Sequence, residues 1–223
     1  MNAAPPPANH SYIESALRQV PGLQSLHRMI SMLVGESAPE DGRILVLGAG
    51  GGLETKALAD AHPGWSFEGV DPSEDMLGLA RWTLAEHGER IRLHKGTIED
   101  APEGPFDAAV CLLTFHFIAR DERLKTLTQI RRRLKPGAPF VLAHISFPQT
   151  EPERSLGIAR HVAYGQPDDT DPALLERGRQ AIGTRLIILA PAEEEAMLRE
   201  AGFSDVSLFY AALSFKGWVA YAA

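Results

Sequence analysis

The sequence predicts an α/β fold, a mostly parallel sheet with helices on both faces. Three observations carry this. First, the apolar run Ile44-Leu45-Val46-Leu47 leads straight into the glycine turn Gly48-Ala49-Gly50-Gly51-Gly52 and then a helical stretch, Leu53–Ala59. A short apolar run ending at glycines reads as a buried parallel strand. Second, similar runs recur at 65–70, 91–94, 106–113 and 140–145, with helical spacing between them. Third, the runs at 205–210 and 214–221 are joined by a link too short for a crossover, so they must pair antiparallel.

The first strand and its turn set the chemistry to look for. Glycines let the backbone turn sharply and approach a ligand closely. The helix that follows aims its amides and positive dipole end at that ligand. A dinucleotide fingerprint wants a third glycine where this chain has Leu53, so the spacing here is G-x-G-x-G at Gly48, Gly50 and Gly52. The second strand ends at Asp71, where a carboxylate can accept both ribose hydroxyls of an adenosine.

Composition narrows the classes. A chain of 223 residues suits one domain, and 44% hydrophobic residues can fill its core. The formal charge of −7 lacks the positive field of a protein that grips nucleic acid through phosphates. The single cysteine, Cys111, rules out an intrachain disulfide and suits a reducing, cytoplasmic setting. No long apolar segment predicts a membrane span. The eight histidines show no metal-ligand spacing, so no metal is expected. Residues 1–10, with Pro5-Pro6-Pro7, are expected to form a flexible tail ahead of a single domain over 11–223.

Taken in order, Ile13, Leu17 and Val20 predict a helix that breaks at Pro21-Gly22. Leu23, Leu26, Ile30 and Leu33 predict a second. Together these form a helical flap over 11–35, with Tyr12 and Arg18 as candidate substrate contacts. Pro72-Ser73 opens the helix after the second strand, and Met76 on it is a candidate cover for an adenine. Thr97 and Ile98, in the loop after the third strand, border the same crevice. His116, after the fourth strand, is the candidate acid or base. A strong helix over 121–134 ends in Arg131-Arg132-Arg133, which suits its dipole. Residues 146–190 hold four prolines and six acidic residues around a weak helix near Leu174–Ile182, and read as an inserted cap. Pro191 to Gly202 is the last helix.

Several stretches together resemble the class I S-adenosyl-L-methionine (SAM) methyltransferases. Gly48–Gly52 resembles their motif I, and Val70–Leu77 their acidic loop. Phe106-Asp107 opens a motif IV-like strand, Leu134-Lys135-Pro136-Gly137 is similar to their turn before strand five, and Glu200-Ala201-Gly202-Phe203 resembles their last helix end. The resemblance implies a Rossmann-like fold of seven strands in the order 3-2-1-4-5-7-6, with strand seven antiparallel. It also implies SAM as cofactor, bound by Gly48, Ala49, Gly50, Gly52, Asp71, Pro72, Met76, Thr97, Ile98 and Leu112. The expected partner is a small-molecule methyl acceptor, with neither nucleic acid nor membrane, and a homodimer is left open. The segments Arg18–Gly22 and Phe215–Ala220 look more particularly like carboxy-SAM synthases. The alternatives are therefore a SAM-modifying enzyme of that kind, or a module that keeps the fold without catalysis. The chain departs from the pattern at Leu23, at Leu112, and at Val46, where motif I often carries an acid.

Overall fold

The computed structural model describes residues 7–167 and 169–223. Its sheet is built from β1 (Arg43–Leu47), β2 (Ser66–Asp71), β3 (Ile91–Lys95), β4 (Ala108–Leu112), β5 (Pro139–Ile145), β6 (Phe203–Ala212) and β7 (Phe215–Ala222). The strand order is β3-β2-β1-β4-β5-β7-β6. Only β7 runs antiparallel to its neighbours β5 and β6. The helices are α1 (Pro7–Gln19), α2 (Leu23–Gly35), α3 (Leu53–Ala61), α4 (Glu74–Thr83), α5 (Arg120–Arg132), α6 (Glu153–Tyr164), α7 (Pro172–Arg185) and α8 (Pro191–Glu200). This is the Rossmann-like arrangement the sequence predicts.

The central strands explain the continuous apolar runs. Every residue of β4 and β5 is buried, because helices cover both faces. Alternate residues divide the core. Ile44 and Val46 pack with Leu26, Ile30 and Val34 of α2 on one face. Leu45 and Leu47 pack with Leu127 and Ile130 of α5 and Leu198 of α8 on the other. β1 lies between β2 and β4, with Val46 opposite both Gly69 and Val110. The order reverses between β1 and β4, which opens a crevice at their carboxyl ends.

Three boundaries differ from expectation. Helix α1 begins at Pro7, so four residues assigned to the tail are helical, while residues 1–6 lie outside the described residues. β4 stops at Leu112, because Leu113 takes φ +56° and turns the chain away. The segment 146–190 holds two helices where one weak helix is predicted. Only Ile158 and Val162 of α6 are buried and no residue of α7 is, so neither shows a full apolar stripe. They form by packing on each other, with α6 also against α1. Among the described residues, no helix is long and apolar enough to cross a membrane.

Candidate active site

The glycine turn is shaped by the groups around it. Gly48 sits at φ +74°, and a Cβ there would lie 1.9 Å from Thr114 Oγ1. A Cβ on Gly51 would lie 2.6 Å from Tyr12 Cε1, so the ring of α1's tyrosine rests on the turn. Val70 O accepts from the amides of Gly48 and Ala49 at 2.8 and 3.0 Å. The Asp71 carboxylate completes the brace: Oδ2 accepts from Gly50 N and Oδ1 from Ser73 N, both at 2.9 Å. One carboxylate thus fixes the turn after β1 to the start of α4, with lone pairs left over to face a ligand.

Three cavities meet here. The turn cavity, about 410 Å³, is bounded by Tyr12, His27, Gly48, Gly50, Glu54, Asp71, Pro72, Met76 and Leu112. The Thr97 cavity, about 400 Å³, adds Thr97, Ile98 and Glu99. These two share Gly48, Pro72, Thr114 and Phe117, and so form one elongated groove. The His116 cavity, about 380 Å³, lies under α1 and is bounded by Gln19, His116, Ile145, His161, Ile182, Leu186 and Phe215. Tyr12, Ala16, Leu113 and Phe117 form the wall it shares with the turn cavity.

Most of the candidate residues converge on this groove. Gly48, Gly50, Asp71, Pro72, Met76 and Leu112 line the turn cavity, and Thr97 and Ile98 line the other end. Ala49 and Gly52 border neither, since both are buried within the turn. Tyr12 lines both the turn cavity and the His116 cavity. Arg18 lines none of the three: its Nε donates to Gly165 O at 3.3 Å and ties α1 to the end of α6. His116 lines its cavity, but burial, then His161 and Arg123, push its pKa down to about 3. Its Nδ1 accepts from Ile145 N at 3.4 Å, which leaves the ring neutral with its proton on Nε2. An imidazole held so is a hydrogen-bonding group at neutral pH, and a poor acid or base.

Sequence reasoning passed over Glu54, in the first turn of α3. It is 9% exposed and its Oε1 has no hydrogen-bond partner. Burial pushes its pKa up to about 8, against a hydrogen bond from its own backbone amide and with help from the charge of Asp71. An acid in a first helical turn reads as a dipole partner, which hid it. Tyr12 beside it is raised to about 12 by burial and by Glu54. Among the described residues, no group of three His, Cys, Asp or Glu side chains gathers to hold a metal.

Comparison with known proteins agrees with this geometry. Residues 44–137 match the family described as "Methyltransferase domain". A carboxy-S-adenosyl-L-methionine synthase from Chromohalobacter salexigens is 26% identical over 208 residues, covering 92% of this chain and 77% of that relative. A malonyl-[acyl-carrier protein] O-methyltransferase from Chlorobium phaeovibrioides is 32% identical over 154 residues, covering 66% of this chain and 56% of the relative. An O-methyltransferase family protein from Burkholderia thailandensis has the same fold, with a TM-score of 0.69 at 15% identity, over 97% of this chain and 60% of that one. Residues 44–137 thus form a methyltransferase domain, and the chain shares the class I methyltransferase fold. SAM is the cofactor of this methyltransferase. The groove suits an elongated ligand such as SAM, with an open backbone turn at the middle, Thr97 and Ile98 at one end and the buried Glu54 carboxyl, its Oε1 unpartnered, at the other.

Proposed function

We propose that the methyltransferase moves the methyl group of SAM to a small, uncharged acceptor held in the His116 cavity. The observation that supports this best is the shared wall of Tyr12, Ala16, Leu113 and Phe117 between that cavity and the turn cavity. Bound SAM supplies a methyl group already activated on a sulfonium, so alignment is the protein's main task. Holding two reactants in line is worth roughly 7–11 kcal/mol. Tyr12 and Leu113 define the opening through which the two reactants face each other. Ile145, Ile182, Leu186 and Phe215 supply apolar walls that exclude water, and the segment 146–190 contributes His161, Ile182 and Leu186 as the cap over the acceptor.

In this reading the cofactor contacts are Gly48, Gly50, Asp71, Pro72, Met76, Thr97, Ile98 and Leu112, with Ala49 and Gly52 setting the shape of the turn. Asp71 takes the ribose hydroxyls. His116 and Tyr12 orient the acceptor as neutral hydrogen-bonding groups. No Asp, Glu, Lys or Arg lines the His116 cavity among the described residues, and burial holds both His116 and His161 below the usual imidazole range. An ionic acceptor would be left without a countercharge there. This also weighs on the second reading, a carboxy-SAM synthase-like enzyme, which the length of the match to such relatives favours. A carboxyl group added to the cofactor needs a facing cation. Among the described residues, neither Arg nor Lys lines the turn cavity or the His116 cavity.

Mass spectrometry of small molecules released from the denatured protein, with SAM titration calorimetry, tests both readings. SAM or S-adenosylhomocysteine is expected, and carboxy-SAM would transfer the case to the second reading. Asp71→Ala should weaken SAM about tenfold or more, as loss of a hydrogen-bonded carboxylate does. Unchanged affinity would reject the assigned groove.

A further inference from the structure

Glu54 is a buried acid of the turn cavity, and one of its two carboxyl oxygens, Oε1, has no hydrogen-bond partner among the described residues. Asp71, the other acidic side chain lining that cavity among the described residues, has both oxygens engaged by backbone amides. Glu54 Oε1 accepts no hydrogen bond, and no Lys or Arg among the described residues lines the cavity. The apolar strand β1 offers no acid either. A buried carboxylate with no cation beside it and one oxygen without a donor is unstable as an anion, and a ligand cation with several N–H donors is what satisfies it.

We propose that Glu54 is the receptor for the ammonium group of the cofactor's amino-acid end. The proposal rests on the glycine-turn groove being the cofactor site. SAM's only N–H-bearing cation is that ammonium, which can donate up to three hydrogen bonds. The carboxyl of Glu54 stands in the first turn of α3, two residues beyond Gly52, at the end of the groove away from Thr97. Its pairing with the ammonium holds the methionine arm and so fixes where the sulfonium sits relative to the opening at Leu113. In the free protein at neutral pH, Glu54 keeps its proton. Binding therefore transfers that proton to solvent, and a carboxylate–ammonium pair replaces a neutral acid.

The groups that face Glu54 do not supply this behaviour themselves. Tyr12 from α1 is raised to about 12, and His27 from α2 is lowered to about 4 by burial. Cys111 from β4 is a buried thiol raised further from ionisation, and Asp71 from β2 is the remaining charge.

The test uses calorimetry on the full chain with two ligands, S-adenosylhomocysteine and 5′-methylthioadenosine, which lacks the amino-acid end. Glu54→Gln should weaken S-adenosylhomocysteine about 10- to 100-fold, the range for a charge-assisted bond. Methylthioadenosine affinity should stay within about twofold. As a measurement that needs no variant, affinity of the unaltered protein for S-adenosylhomocysteine should rise between pH 6 and 7.5, by up to about tenfold per unit. Methylthioadenosine should show no such rise. Equal losses for both ligands, or no loss for either, would overturn the assignment to the ammonium while leaving the groove intact. Failure of the unaltered protein to bind either ligand would overturn the groove itself, and this proposal with it.

Discussion

Two buried glutamates open the first turns of two helices, and they stand in opposite circumstances. Glu194 of α8 is 1% exposed and pairs with the guanidinium of Arg123 on α5, itself wholly buried. Arg123 also donates to Ile118 O at 3.2 Å and to Ile187 O. His144 of β5 stands 3.5 Å from Glu194 Oε1, held neutral by burial. Glu54 of α3 is also buried, though at 9% exposed less deeply, and the charge that acts on it is another acid, Asp71. Burial pushes both acids up, Glu54 to about 8 and Glu194 to about 7 against the pull of Arg123. The difference is one of address. Glu194 lies between helices and the sheet, where its partner is part of the chain, whereas Glu54 lines a cavity, where a partner can arrive from solution.

The largest effect that can break this comparison is at Arg123. Arg123→Met leaves Glu194 buried without its cation and strands the carbonyls of Ile118 and Ile187. Breaking a buried pair in this way costs about 3–5 kcal/mol. Urea unfolding should register that loss, and adding Glu194→Leu should recover most of it, since two apolar residues can replace a buried pair. A loss below about 1 kcal/mol would class this pair with exposed ion pairs.

The same contrast shows why some of the molecule is readable from sequence. The glycine turn and Asp71 lie within 24 residues of one another and announce themselves by local pattern: an apolar strand, glycines, a helix, and an acid at the next strand's end. Arg131-Arg132-Arg133 is legible as helix-end chemistry rather than a basic patch, and Arg133 is indeed buried on Pro102 O and Gln129. The His116 cavity is otherwise. It gathers Tyr12, His161, Ile182 and Phe215 from four distant parts of the chain, and no spacing records that convergence. Helix α6 escapes for a related reason, because its two buried residues make too short a stripe. Glu54 and Glu194 both look like ordinary first-turn acids, and only tertiary burial separates them from Glu74 or Glu193.

The second effect is smaller and opposite in sign. Glu54→Gln should stabilise the ligand-free protein at pH 8 by about 1–3 kcal/mol, the usual penalty of a buried group left unsatisfied. The sign follows from linkage. Below about pH 4.5 the carboxyl is protonated in both folded and unfolded chains. Between 4.5 and about 8 only the folded chain keeps the proton, so stability falls as pH rises. Above that window both are ionised and the penalty is constant. Glutamine does not titrate, so the gap between variant and parent should widen from pH 5 to 8 in thermal unfolding. A gap independent of pH, or a variant that is less stable throughout, would mean that Glu54 has a partner within the fold.

The smallest effect calibrates the other two. Glu74, also in a first helical turn, pairs with Arg81 at 3.0 Å, as close as many buried pairs. Both side chains are just over half exposed, at 54% and 55%. Water already solvates each charge, and holding two long side chains together costs entropy that the attraction barely offsets. Glu74→Gln should therefore shift stability by less than about 0.5 kcal/mol, and added salt should shrink even that. Denaturant unfolding in low and high salt measures it directly. If Glu74→Gln matched Arg123→Met in magnitude, pairing distance alone would govern these acids, and the argument from burial for Glu54 would lose its footing.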